Sequence, residues 1–225
     1  MSAKGNDEIA LLARTFNTMS SNLQLSYEAL KATNNYLEEK VRERTEELEQ
    51  KNRQLQQLSI TDRLTQCYNR VKMEELLAQQ LHLAQRYQTP FSLFIADADH
   101  FKQVNDHHGH QMGDKVLIEL ANRLKEAIRE SDAIDRWRGE EFLILCPNTA
   151  AEAAQQLAQR LCQTVAATAF SCFNRRMTVS IGVSAHQSSD NSIDSLLERA
   201  DIALYSAKAE GRNRAVLYRP KAAAS

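Results

Sequence analysis

The run FSLFIADAD (residues 91–99) is apolar until its end, where the period of two along a strand puts Asp97 and Asp99 on one face of a sheet. A second acidic pair, Glu140 and Glu141, follows Arg138 and Gly139 in DRWRGEEFLIL (residues 135–145), where a tight turn joins two strand-like runs. On a shared sheet, three or four carboxylates converge at its end and repel one another. A bound divalent cation relieves that repulsion, and hard oxygen ligands in such number favour Mg2+ or Mn2+ shared with substrate phosphates. The competing reading is a polar strand end and a solvated hairpin with no chemistry.

Phosphate needs positive charge, and Lys208 and Arg212, four residues apart, lie on one face at the end of a helical run. Basic residues there also suit the helix dipole, so the pair by itself reads equally as a C-terminal cap. Between the run ending at Asp99 and the next helix lies FKQVNDHHGHQMGD (residues 101–114), in which Asn105 and Asp114 offer an amide and a carboxylate. Such groups suit the N1–H and N2–H2 edge of guanine, although an asparagine alone is more often a helix cap.

These residues are positioned by two kinds of sequence. From Asp7 to about Leu58 there is neither proline nor glycine, and the residues are mostly good helix formers. An apolar stripe runs Leu12, Phe16, Met19, Leu23, Tyr27, Leu30, Asn34, Leu37, Val41, Arg44, Leu48, Lys51, Leu55, Leu58. Its steps alternate four and three except around Leu23, which is entered and left by four, a stutter in a heptad pattern. One helix cannot bury so narrow a seam, so a parallel homodimeric coiled coil is expected over residues 1–58, with a solvated single helix as the alternative. Asn34, Arg44 and Lys51 on the seam set register at a cost in stability.

From Ser59 onward the pattern alternates strands and helices: a strand at 91–99, a helix at 112–130, and a hairpin of 133–138 with 140–146. A helix at 149–168, a strand at 177–186, a helix at 192–211 and a short strand at 215–218 follow. That length suffices for one core of α/β (α+β) class over residues 59–225. A net charge of -1 excludes nucleic-acid binding by bulk charge, and no apolar run is long enough to span a bilayer. Cys67, Cys146, Cys162 and Cys172 show no metal-ligand spacing and sit largely in apolar runs, as packed thiols do in a reducing, cytoplasmic compartment.

Taken in order between about Thr61 and Tyr218, DADHFKQVNDHHGHQMGD, RWRGEEF, SIGVS and ADIALYSAKAEGRNR resemble the GGDEF diguanylate cyclases of bacteria. The resemblance implies a fold similar to the catalytic domain of class III nucleotide cyclases, with a central, mainly antiparallel sheet flanked by helices. It implies condensation of two GTP into cyclic di-GMP with release of two pyrophosphates. Asp97 and Glu140 would bind the metals, two Mg2+ or Mn2+ ions per active site, with the backbone carbonyl of Ala98 as a further ligand. Glu141 would assist the metal site or accept the 3′-hydroxyl proton. Asn105 and Asp114 would hold guanine, and Lys102, Lys208 and Arg212 would meet the phosphates.

The family's R-x-x-D product-inhibition motif falls on Arg129 and Asp132, with Arg160 as a second arm. Each domain of the family holds one GTP, so two must face each other across a homodimer, which connects the coil to the chemistry. The alternative is a catalytically inactive domain acting as a cyclic di-GMP receptor. The stretch DEIALLARTFNTM (residues 7–19) resembles the end of a HAMP module, which implies an upstream membrane sensor and a cytoplasmic position for this part. Two motifs depart from the family pattern: Arg138 replaces the first glycine of the signature, and the usual DxLTGLxNRR reads DRLTQCYNRV, with Gln66, Cys67 and Val71 replacing family residues.

Overall fold

The computed structural model describes residues 60–219 and, before them, residues 18–20, 23–25, 28, 30–31, 34–48 and 51. The chain divides into a unit of residues 1–58 and one of 59–225. In the first unit every described residue is helical. Pairs such as Lys40 with Glu43 at 2.6 Å and Lys51 with Glu47 at 2.7 Å lie three or four residues apart, the spacing that supports a single helix. The described apolar seam residues Met19, Leu23, Leu30, Leu37, Val41 and Leu48 are all exposed. Leu12, Phe16, Tyr27, Leu55, Leu58 and most of the HAMP-like stretch lie outside the described residues.

The second unit is a five-stranded sheet in the order β2-β3-β1-β4-β5. Its elements are α1 (Arg70–Tyr87), β1 (Phe91–Ala98), α2 (Phe101–His108), α3 (His110–Ala127), β2 (Ala133–Arg138), β3 (Glu141–Pro147), α4 (Ala151–Ala167), β4 (Val179–Ala185), α5 (Ile193–Ala209) and β5 (Ala215–Leu217). Three of the four pairings are antiparallel, and β4 with β5 is parallel. The central strand β1 is buried along its whole length because helices cover both faces. Phe94, Ala96 and Ala98 join the core with α3 and α4, while Phe91, Leu93 and Ile95 join the core with α1 and α5.

Close approach of α5 to the sheet depends on one glycine. A Cβ on Gly182 of β4 would lie 2.0 Å from Ala200 O and 2.3 Å from Leu204 N. Two helices were not expected from the sequence. In α1 the buried positions are Met73, Leu77, Gln80 and Ala84, so a glutamine interrupts the apolar stripe. Its start is fixed by Asn69, whose side chain accepts from Lys72 N at 2.9 Å. Residues 101–108, read from the sequence as part of a connection, form the two-turn helix α2, which buries only Phe101 and Val104 and stops at Gly109 with φ 78°.

Candidate active site

Asp97, the next-to-last residue of β1, faces Glu141, the first of β3, directly across the antiparallel ladder. Like charges so opposed are destabilising, and Lys208 of α5 answers them with Nζ 2.8 Å from Asp97 Oδ2. Burial pushes the Asp97 carboxyl up, Lys208 pulls it down, and the charges of Glu140 and Asp99 raise it again. Burial likewise raises Glu141, with Asp97 and Asp201 adding to the shift and Lys208 and Arg138 opposing it. The acidic end is therefore real and under electrostatic stress. Among the described residues no three His, Cys, Asp or Glu side chains converge closely enough to hold an ion by themselves. Asp97, Glu140 and a main-chain carbonyl still fit Mg2+, which takes one or two carboxylates and completes its shell with water and substrate phosphate.

The turn that brings Glu140 here differs in register from the expected one. Arg138 pairs with Glu141, so the two loop residues are Gly139 and Glu140, and the second strand starts one residue later than the expected 140–146. Gly139 has φ 52°, and neither Arg138 nor Glu140 is left-handed, so Arg138 is accommodated without backbone strain there. A register shift between Arg136 and Arg138 bulges the strand at Trp137. Arg136 then pins the turn, donating from Nε to Gly139 O at 2.7 Å, while its Nη1 lies 4.0 Å from Asp62 Oδ1. Asp62 Oδ1 also accepts from Thr65 N at 2.8 Å and Thr65 Oγ1 at 2.7 Å, closing the turn of residues 62–67 in which Gln66 takes φ 53°. The lead-in segment is thus tied to the acidic hairpin through Arg136.

Asp99 corrects the expectation of a converging carboxylate. Although it shares the face of Asp97, it is buried and occupied: Thr178 Oγ1 donates to Oδ2 at 2.6 Å, Asn213 N to Oδ2 at 3.1 Å, and Ser180 Oγ to Oδ1 at 2.7 Å. Asp201 was not found from the sequence, yet it belongs to this cluster. It lies seven residues before Lys208, two turns along the same helix face, and that spacing was the available signal. Burial raises its carboxyl, opposed by Arg138 and Lys208.

Asn105 sits on α2 and Asp114 on α3, joined at Gly109. Asn105 Oδ1 is buried without a hydrogen-bond partner, an acceptor in want of a donor. It fits only because position 113 is glycine, where a Cβ would lie 2.0 Å from that oxygen. Asp114 and Lys102 are exposed, as is Arg212 in the loop after α5.

Arg129 and Asp132 close a short turn: Arg129 N donates to Asp132 Oδ2 and Asp132 N to Arg129 O, both at 3.0 Å. Arg160 of α4 reaches the same helix end, donating from Nη2 to Ala127 O at 3.3 Å. The two arms border separate cavities, one of about 210 Å³ with Arg129 and Asp132 and one of about 810 Å³ with Arg160.

Comparison with known proteins matches residues 59–214 to the family described as the diguanylate cyclase GGDEF domain. Diguanylate cyclase DgcM of Escherichia coli K12 is 42% identical over 165 residues, covering 72% of this chain and 39% of that protein, so the chain spans well under half of this relative. The solved coiled coil and GGDEF domain of DgcB from Caulobacter crescentus, in complex with c-di-GMP, is 30% identical with a TM-score of 0.67, covering 77% of this chain and 93% of that one. Diguanylate cyclase SiaD from Pseudomonas aeruginosa, solved with its activator SiaC, is 33% identical with a TM-score of 0.67, covering 94% and 83%. With the mixed sheet, the acidic strand end and the helix that carries Lys208 all in the matched segment, the chain belongs to the diguanylate cyclase GGDEF-domain family.

Proposed function

We propose that the chain condenses two GTP molecules into cyclic di-GMP, releasing two pyrophosphates, with one GTP held by each of two copies. The observation that carries this reading is the buried Asp97 carboxylate opposite Glu141 with Lys208 at 2.8 Å, an acidic end already paired with a phosphate-seeking cation. Asp97, Glu140 and the Ala98 carbonyl would hold Mg2+ or Mn2+, two ions per site, which when bound would offset charge on the attacking and leaving oxygens. Asn105 Oδ1 accepts from the guanine N1–H/N2–H2 edge, and Asp114 takes the second donor. Lys102, Lys208 and Arg212 receive the triphosphate.

In each half-reaction the 3′-oxygen of one GTP bonds to the α-phosphorus of the other as the bond to pyrophosphate breaks. The hydroxyl proton passes to Glu141, whose carboxyl is raised by burial and by Asp97 and so is a better base than an ordinary glutamate. A second, mirrored step closes the ring. Dimerisation through the coil brings the two sites together, and Arg129, Asp132 and Arg160 bind the product and slow turnover. The HAMP-like residues 7–19 support a position beneath a membrane sensor.

The test is incubation with GTP and Mg2+ and separation of the nucleotides. Cyclic di-GMP and pyrophosphate in a ratio of one to two, abolished by a chelator, are expected. Binding of cyclic di-GMP with no product from GTP would overturn the cyclase reading in favour of a receptor.

A further inference from the structure

We infer that Asp99 is a positioning residue for phosphate capture, its carboxylate holding the loop after α5 in the one conformation that presents Arg212. This rests on the reading that Arg212 meets the triphosphate. The loop is strained: Gly211, Arg212 and Asn213 have φ of 111°, 64° and 49° in succession. Each non-glycine residue there costs about 1 kcal/mol, so the conformation persists only where something fixes it.

Several hydrogen bonds hold this loop. Gly211 N donates to Lys208 O at 3.4 Å, Arg212 N to Ala207 O at 3.0 Å, and Ile181 N to Arg214 O at 2.9 Å, while Arg214 Nε donates to Arg212 O at 3.3 Å. A further anchor is a side chain from a distant part of the sequence: Asn213 N donates to Asp99 Oδ2 at 3.1 Å. Asp99 is itself immobilised by Thr178, Ser180 and its own N–H, which donates to Thr178 O at 2.9 Å. Alternate carboxylates of one strand end thus fix the two basic residues by different routes. Asp97 holds Lys208 by its side chain, whereas Asp99 holds Arg212 by the backbone beside it.

An asparagine at position 99 can keep this arrangement. Its oxygen can face Asn213 N and Thr178 Oγ1 while its amide nitrogen donates to Ser180 Oγ, a hydroxyl that accepts as well as donates. Alanine cannot, and serine ends one atom short of Oδ2. The probe is a GTP analogue with a methylene bridge between the α- and β-phosphorus, which cannot release pyrophosphate, titrated against the full chain with Mg2+ and compared with guanosine.

Asp99→Ala should weaken the triphosphate by about tenfold and leave guanosine unchanged, Asp99→Asn should bind nearly as the parent, and Arg212→Ala should match Asp99→Ala. The double variant Asp99→Ala/Arg212→Ala should be no weaker than Arg212→Ala, while Asp99→Ala with Lys208→Ala should add. Should Asp99→Ala fail to fold, Asp99→Ser carries the same expectation. Additive losses for positions 99 and 212, or an Asp99→Asn as defective as Asp99→Ala, would overturn the inference. An Arg212→Ala that binds the analogue normally would overturn it together with the phosphate role beneath it. Coupling between 99 and 212 in a chain that makes no cyclic di-GMP would sustain the inference and reject only the cyclase reading.

Discussion

Burial has raised the carboxyls of Glu141 and Asp201, and the charge of Arg138 opposes the rise of both. Removing it lets Glu141 rise further, so the base form is reached only at higher pH. Arg138→Gly should therefore move the acidic limb of the pH–rate profile upward and change turnover only several-fold, as read from initial rates across pH. An unmoved limb would mean that Arg138 does not act on Glu141. Asp135 makes a sharper case, because it is 0% exposed on β2 and neither carboxylate oxygen has a hydrogen bond of good geometry. Burial pushes it up to about 7, with only weak relief from nearby backbone N–H groups and from Arg70, and with Glu74 adding to the rise. The folded chain then holds a proton that the unfolded chain gives up near the ordinary value of 3.8, so stability is fullest below that value and falls as pH rises toward 7. Asp135→Ala should flatten this slope and gain roughly 2 kcal/mol relative to the parent at pH 8, as measured by urea unfolding at pH 5 and pH 8. Equal slopes would show that Asp135 is not the buried acid. Asp97, Glu140 and Lys208 are candidates from the sequence because acid at an apolar strand end and base at a helix end are visible locally. It could not show that Asp99 is spent on Thr178, Ser180 and Asn213, because those partners come from far along the chain.

At the scale of elements, two glycines decide how closely helices approach the site. Gly113→Ala would push a methyl into Asn105 Oδ1, with Phe101 Cζ also at 3.1 Å, so the α2–α3 pair must open and the proposed guanine acceptor must move. Affinity for GTP should fall by more than about tenfold, since a misplaced buried acceptor loses its bond and keeps its desolvation cost. Gly182→Ala meets backbone rather than a side chain, so it should lower stability by about 3 kcal/mol and fall hardest on α5, seen as faster amide exchange from Ile193 to Ala209. Gly139→Ala is the contrast, because a Cβ there meets nothing within 4 Å and only φ 52° resists it. Most strands were legible because they are apolar runs bounded by polar residues, and β2, although Asp135, Arg136 and Arg138 lie within it, was placed to the residue. The helices α1 and α2 were not: Gln80 breaks the stripe of one, and the other has two turns and no side-chain cap. Their packing is tertiary information that a local pattern does not carry.

Over the whole molecule, the described seam of residues 18–51 leaves Leu23 at 72% and Leu48 at 67% exposed in a single chain. Each such side chain stabilises a partner helix by about 1.5–3 kcal/mol when buried, less the entropy of ordering it, which favours two copies side by side. Specific activity should rise with protein concentration, and removal of residues 1–58 should weaken self-association in sedimentation and lower activity per subunit in dilute solution. Constant activity per subunit at every dilution would argue against two GTP-loaded copies meeting. The measurement that bears most directly on the account is product formation by Glu140→Ala beside the parent chain, with self-association and cyclic di-GMP binding followed in the same samples. If Asp97 and Glu140 form the reacting centre, the parent converts GTP to cyclic di-GMP while Glu140→Ala makes none, yet still self-associates and binds added cyclic di-GMP. A Glu140→Ala chain that still produces cyclic di-GMP would contradict it.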